Sequence, residues 1–597
     1  MTHLSPNSVQ ARDVASIVHP QTNLVAHLEQ GPMVIDRGQG CYVYDDNGTQ
    51  FLDAAAGLWC ASLGYASERL ARVAYDQMRK LGYYHLYRGT TNEAGVDLAE
   101  RLLHIAPPAY AGPMSKVLLQ CSGSEANDTA IKLVWYYHAA IGKPNKRKII
   151  GRRMGYHGST SASISASGKA DMHADFGLPF PGFLHTEYPH YYRHHHDGET
   201  EERFASRMAE ALEQLIEAEG PETCGAFIAE PVMGAGGGLV PPRSYWEKIQ
   251  AVIRKYDMLF IADEVICGFG RTGNMWGSQT YDLRPDMISC AKALSAGMQP
   301  ISALLINQRV FEAMLDESRK LGNFAHGFTY AGHPVTTAVA METLRIYEET
   351  DMIGHVRRVG PHMQAVLRDF ADHPLVGDVR GIGLLTGMEL VADKATRAAF
   401  DPARKVGATV DRHARAHGLI TRFIGDRIAF SPPLIITEAE IDEMAQRLGA
   451  ALDDAWAEIG AAWRRLLPLP QGEGKRSLLH RFGIQRIAGG AYRPHDVEFA
   501  LAVDRLAQAA DVHVDRARLD MDVRPPYRVQ QLLAREDPAR MLHEEFQQTK
   551  LGRPQMHAPF AAHHAVRRQV HRNIVECQLS LGRHRARTAQ QRAHPRQ

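Results

Sequence analysis

The 597-residue chain contains no run of about 18 apolar residues, which excludes a membrane-spanning helix. Its start, MTHLSPNSVQARD, lacks a basic stretch followed by an apolar one, so no secretory leader is expected. Cysteine is scarce, at 7 residues (Cys41, Cys60, Cys121, Cys224, Cys267, Cys290 and Cys577), and none stands in a CxxC pair. That argues against a disulfide framework and against a zinc site; no metal is expected, and a reducing, cytoplasmic setting fits. A net charge of one sign is also missing, with 68 Lys plus Arg against 67 Asp plus Glu. The balance hides an asymmetry. Residues 471–597 hold 20 Arg and 2 Lys against 13 acids, a net of +9, which leaves −8 on residues 1–470. What is present is ordinary for a folded protein, 45% hydrophobic and 23% charged, so wholesale disorder and collagen-like structure are excluded.

From about 116 to 307, short β-rich apolar runs alternate with helical stretches. The runs are Lys116–Gln120, Lys148–Gly151, Ala226–Ala229, Leu259–Ala262, Met287–Cys290 and Ser302–Ile306. Helical periodicity falls at 94–104, 125–140, 201–218 and 244–256. The alternation predicts an α/β fold with a mainly parallel sheet, whose ligands gather at the carboxyl ends of its strands. Asp46-Asn47-Gly48 between two β-rich runs predicts a hairpin. Helices at 334–371, 403–417 and 438–463 with strand-like runs in 376–391 and at 428–430 predict a smaller α+β domain. LLPLPQGEG at 466–474 marks a boundary. The expected division is 1–65 (small domain, first part), 66–330 (large domain), 331–465 (small domain, second part) and 466–597 (basic tail).

Lys292 directly follows the apolar run Met287–Cys290. Burial there would lower the pKa of its ammonium, as an imine-forming lysine needs. Phe260-Ile261-Ala262 ends in Asp263 and Glu264. Asp263 is placed to pair with a pyridinium nitrogen, and Glu264 is either a second cleft acid or a helix cap. Ser122-Gly123-Ser124-Glu125 opens the 125–140 helix after a strand, where free N–H groups and the positive dipole end suit a phosphate. Tyr156-His157-Gly158 follows another strand and offers an aromatic ring for stacking. A phosphate cup, a stacking ring, an acid for a ring nitrogen and an imine lysine are the parts that pyridoxal phosphate requires.

Longer motifs extend the pattern: Gly57-Leu58-Trp59-Cys60, Ser122 to Asp128, Tyr156 to Thr160, Ala229-Glu230-Pro231-Val232, Ile261 to Gly273, Ala291 to Leu294, His326 to Tyr330 and Arg380 to Gly383. Through them the chain, from about His19 to Trp463, resembles the class III aminotransferases, fold type I enzymes that use pyridoxal 5'-phosphate. It looks closest to their ω-amino acid and amine:pyruvate branch. The resemblance implies that Lys292 binds the cofactor as an imine and shuttles the proton, and that Asp263 holds the ring nitrogen. Val265 and Tyr156 would cover the two ring faces, Gly123 and Ser124 would bind phosphate, and His157 would belong to the same cofactor-binding set. Thr329 would reach the phosphate from a neighbouring subunit, which makes a homodimer the expected partner state. Trp59 and Phe328 would line the substrate pocket, and Arg422 would clamp the carboxylate of a keto acid. The implied activity is amino transfer from an ω-amino acid, diamine or amine to a keto acid such as pyruvate, in two alternating half-reactions. Cys121, where the family usually has asparagine, departs from the pattern.

Two other readings stand beside it: another reaction of the same cofactor, such as an aminomutase or decarboxylase, and a nucleic-acid contact through the basic tail. After residue 552 the tail has nine arginines and a single acid, Glu576. Arginine dominates lysine so strongly that the tail reads as disordered or weakly structured, in the manner of out-of-frame translation, rather than as a nucleic-acid module. His194-His195-His196 reads as a surface loop, and the glycine-rich Pro231–Gly238 as a flexible loop near the site, without the lysine of a nucleotide loop.

Overall fold

The computed structural model describes residues 5–466. The expectations for the tail therefore lie outside the described residues, as does the tail's nucleic-acid reading. Fifteen strands are described: β1 Ile35–Gln39, β2 Tyr42–Asp45, β3 Gln50–Asp53, β4 Met114–Gln120, β5 Lys148–Arg152, β6 Phe183–Thr186, β7 Cys224–Ala229, β8 Leu259–Asp263, β9 Met287–Cys290, β10 Ser302–Asn307, β11 Val376–Ile382, β12 Leu385–Leu390, β13 Leu419–Ile420, β14 Arg422–Ile424 and β15 Arg427–Phe430.

Seven of them form the main sheet, in the order β4-β10-β9-β8-β7-β5-β6. The pairs β9–β8, β8–β7, β7–β5 and β5–β6 are parallel, while β10 runs antiparallel to both of its neighbours. Side chains alternate between the two faces, as a pleated strand requires. Ala226, Ile228, Leu259 and Ile261 pack with the helices Gly123–Ala140 and Gln308–Leu321. Phe227, Ala229, Phe260 and Ala262 join the core on the other face, with the helices Glu201–Glu219 and Tyr245–Lys255. Burial on both faces explains why these strands read as continuous apolar runs.

Two four-stranded sheets complete the described chain, β1-β2-β3-β13 and β11-β12-β15-β14. The hairpin at Asn47-Gly48 is present: Asp45 Oδ1 accepts from Asn47 N (3.0 Å) and Thr49 N (2.7 Å), and Gly48 takes a φ of 83°. β13 pairs in parallel with β3, Leu419 opposite Leu52, and ties the later part of the chain to its start.

Several expectations are refined. The 334–371 helix is two, Pro334–Glu349 and Met352–Arg368, because Asp351 turns into the left-handed region (φ 46°) and caps the second through Gly354 N. β6, β13 and β14 are two to four residues long and too short to show a pattern. Pro231–Gly238 is not a flexible loop but a largely buried turn, closed by reciprocal Met233 and Leu239 backbone bonds of 3.2 and 3.0 Å. The histidine triplet is only partly loop. Tyr191–His194 is a short helix, and the His195 ring meets Arg397 Nη1 at 2.8 Å. Glu264 resolves as a structural acid. Its Oε1 accepts from Ser278 N and Ser278 Oγ (both 2.5 Å) and its Oε2 from Gly277 N (2.9 Å), which anchors the first turn of the helix Gly277–Thr280. Burial is the main cause that pushes its pKa up to about 7.

Two outcomes follow. Phe227 is 0% exposed and its ring lies 6.2 Å from that of Phe260, so Phe227→Ala is expected to cost about 3–5 kcal/mol, read as a lowered denaturant midpoint. For Glu264, a folded pKa of about 7 above its unfolded value means that the folded state binds the extra proton between the two. Its contribution is full below the unfolded value and is lost as pH rises through about 7. The stability of the wild type relative to Glu264→Gln should therefore fall by on the order of 3 kcal/mol between pH 4.5 and 7.5. A pH-independent difference in denaturation midpoints would contradict this.

Candidate active site

The carboxyl ends of β5, β8 and β9 lie on one edge of the sheet, and β4 runs in the same sense because both it and β9 are antiparallel to β10. From these ends come Tyr156, Asp263, Lys292 and the helix start at Gly123.

Asp263 closes β8 and is 2% exposed. Three donors hold it: Asn127 Nδ2 (2.9 Å) and His157 Nδ1 (2.8 Å) on Oδ2, and Val265 N (3.1 Å) on Oδ1. A carboxylate only accepts, so the pairing places the His157 proton on Nδ1. Asn127 Nδ2 also donates to His157 O (2.7 Å), and His157 N donates to Ser167 Oγ (2.8 Å), which locks the triad. His157 therefore stands behind Asp263.

The rest of the wall is connected to it. Val265 methyls lie 3.0 and 3.1 Å from where a Cβ on Gly123 would be, so glycine lets this helix start approach Val265 without crowding it. The first amides of the helix have no intrahelical acceptor. Ser124 Oγ accepts from Ser159 N (3.0 Å), and the hydroxyl of Ser159 meets Tyr156 Oη at 2.9 Å. Tyr156 N donates to Glu230 Oε1 (3.3 Å), and Arg152 Nη2 donates to Glu230 O (2.6 Å) and Oε2 (3.2 Å). Cys121 leaves the helix start intact: its N–H donates to Glu125 Oε2 (2.7 Å), and burial raises its thiol pKa.

Lys292 follows β9 on left-handed backbone (φ 51°), a conformation that costs a lysine energy and aims its side chain. It remains half-buried, with Nζ 5.1 Å from the centre of the Trp59 ring. Desolvation lowers its pKa, opposed by the charges of Cys60 and Asp263 among others. Trp59 is also on left-handed backbone (φ 62°) and packs with Ile266 and Ala429, flanked by Ala235 and Ile424. For a planar, phosphate-bearing ring with a basic nitrogen these residues fit: a clamped acid, free helix amides, an aliphatic face at Val265 and a desolvated amine.

Arg422 lies on β14, a strand too short to show in the sequence. It is half-buried, burial lowers its pKa, and its Nη2 donates to Gln21 Oε1 at 3.4 Å. Gln21 sits between the helices Val9–Ser16 and Leu24–Gln30, on a segment held by Asp13, whose carboxylate meets His19 Nε2 (2.9 Å) and His27 Nε2 (3.1 Å). Phe328 and Thr329 are placed elsewhere. Phe328 packs edge-on against His326, which is bonded to Thr129 and Lys132, and exposed Thr329 accepts from Tyr83 Oη (3.0 Å) through its carbonyl.

Asn127, Glu230, Ser159 and Gln21 were not singled out from the sequence. Asn127 and Glu230 stand inside quoted motifs, one turn past Ser124 and at the end of β7, and those positions were the available signal.

The family model described as aminotransferase class-III matches residues 25–452. Gamma aminobutyrate transaminase 3, chloroplastic, of Solanum lycopersicum is 50% identical over 423 residues, 71% of this chain and 81% of its own length. Gamma-aminobutyrate transaminase 1, mitochondrial, of Oryza sativa subsp. indica is 49% identical over 421 residues, 70% of this chain and 81% of its own. The ω-transaminase of Pseudomonas jessenii in complex with PMP superposes with a TM-score of 0.74 at 50% identity, over 76% of this chain and 99% of that one. With a family match over most of its length and half-identical relatives in sequence and structure, the chain belongs to the class III aminotransferases, and it is a fold type I transaminase that works with pyridoxal 5'-phosphate.

Proposed function

We propose that the enzyme takes the amino group from an ω-amino acid, diamine or amine and delivers it to a keto acid, pyruvate in the first instance, in two alternating half-reactions. The observation that carries this is Lys292, a desolvated amine 5.1 Å from Trp59, on the same sheet edge as the triply held Asp263. The relatives' names, gamma aminobutyrate and ω transaminases, support a donor whose amine is remote from any carboxylate.

Bound pyridoxal 5'-phosphate supplies an electron sink for the carbon that loses its proton. In our reading Asp263 keeps the ring nitrogen protonated, and Asn127 and His157 fix its orientation. Gly123 and Ser124 receive the phosphate at the helix start, with Val265 and Tyr156 on opposite ring faces. Lys292 Nζ is the base: its lowered pKa raises the fraction of free amine, which takes the proton from the donor's amine-bearing carbon and later releases it. Trp59 shapes the pocket, Arg422 binds the acceptor's carboxylate through its planar fork, and Phe328, apart from Trp59 within one chain, is assigned to the neighbouring subunit's pocket. Thr329, exposed in one chain, serves the partner's phosphate in a homodimer. The division into a large unit at 66–330 and a small one from 1–65 with 331–465 fits the same reading. Among the described residues no helix is long and apolar enough to cross a membrane. A cytoplasmic enzyme without nucleic-acid partners is our proposal.

Amine added without keto acid should abolish the visible absorbance of the lysine-bound cofactor and give the aminated cofactor stoichiometrically. Release of carbon dioxide with the absorbance intact would instead favour a decarboxylase. Lys292→Ala should slow the amine half-reaction by about 10³-fold or more, and borohydride should no longer fix the cofactor to the peptide containing residue 292. Asp263→Asn should cost about 10²-fold or more while the visible spectrum shifts. Light scattering should give the mass of a dimer, and Thr329→Ala should weaken cofactor retention.

A further inference from the structure

The wall beside Lys292 carries N–H donors that lack acceptors. The indole Nε1 of Trp59 and the Nε of Arg422 are buried without a partner. A third group was not apparent from the sequence. Lys169 is 7% exposed, yet its ammonium makes one long bond, 3.4 Å to the carbonyl of Ala235. A lysine ammonium has three donors, so the remaining two are unanswered. Burial lowers its pKa, and the charges it feels include Arg422 and Arg427 as well as Asp171 and Glu230.

The three groups come from separate segments that meet. Gly168 exchanges backbone bonds with Met154 (2.8 Å) and Gly155 (3.0 Å), so Lys169 follows a segment bonded to the strap that carries Tyr156. Ala235, which Lys169 reaches, flanks the Trp59 cluster together with Ile424. On β14, Arg422 and Ile424 are two residues apart and share a face, and Arg422 pairs with Ala429, itself packed on Trp59. Lys169, Arg422 and Trp59 thus approach one wall of the pocket.

Buried donors left unpaired are costly, and a protein keeps them where a ligand answers them. Three donors, two of them cations, favour an acceptor-only anion such as a carboxylate. We propose that Lys169 is a specificity-determining residue that, with Arg422, holds the substrate carboxylate, so that the pocket discriminates acids from plain amines. The proposal rests on the amino-acceptor reading of Arg422.

The test uses the full-length holoenzyme with Lys169→Met and Lys169→Arg, their folding checked by circular dichroism and thermal midpoint. Propionate, a carboxylate that cannot transaminate, is titrated by calorimetry, and each half-reaction is followed by stopped-flow spectroscopy with pyruvate or with 1-phenylethylamine. Lys169→Met should weaken propionate about tenfold or more. It should raise the pyruvate concentration for half-maximal rate at least about tenfold beyond any change for the amine, and Lys169→Arg should restore most of the loss. Unchanged propionate affinity, or equal losses in the two half-reactions, would overturn the proposal. A wild type that forms no aminated cofactor would instead overturn the amino-transfer reading, and that result is visible before any variant is made.

Discussion

A single carboxylate organises this molecule. Asp263 sits at the end of a fully buried strand, where an unpartnered charge would be expensive, and Asn127, His157 and the Val265 amide answer it from three directions. Each partner is itself pinned. Asn127 belongs to the helix that starts at Gly123, His157 to the strap after β5, and Val265 to the chain leaving β8. The acid therefore fixes the relative placement of three segments, and the Tyr156–Ser159–Ser124 contacts close the circuit. Preorganisation of this kind is what an electrostatic role demands, because a group that must reorient during reaction gives back part of what it contributes.

The second constraint is conformational. Lys292 and Trp59 face each other from backbones that both lie in the left-handed region. Neither residue type adopts it readily, so the surrounding packing has to impose it. A dense core backs β7 and β8, where Phe227, Phe260 and Trp246 are in tilted contact. Glu264 contributes by nailing the helix Gly277–Thr280 beneath the same strand end.

Much of this was legible in the chain itself. Strands buried on both faces appear as apolar runs, so β4, β5 and β7–β10 could be read directly, and with them the strand ends at which Lys292, Asp263 and Ser122–Glu125 stand. What escaped was short or depended on tertiary contact. β6, β13 and β14 have too few residues for a period, so Arg422 was recognised by motif rather than by its strand. The choice between cap and cleft for Glu264 turned on where Gly277 and Ser278 would fold, a separation of 13 and 14 residues that no local pattern encodes. The Pro231–Gly238 segment reads as supple from its glycines, yet those glycines permit close packing: a Cβ on Gly238 would lie 2.7 Å from the backbone nitrogen of Gly387.

The helices Val9–Ser16 and Leu24–Gln30 reach Arg422 through the segment between them. Asp13 draws His19 and His27 together, and that knot suspends Gln21 against Arg422. The guanidinium thus donates a side-chain hydrogen bond to a residue some four hundred positions distant in the chain, while feeling the charge of Asp411. A change in the Asp13–His19–His27 cluster therefore reaches the Arg422 guanidinium through Gln21, without touching the sheet.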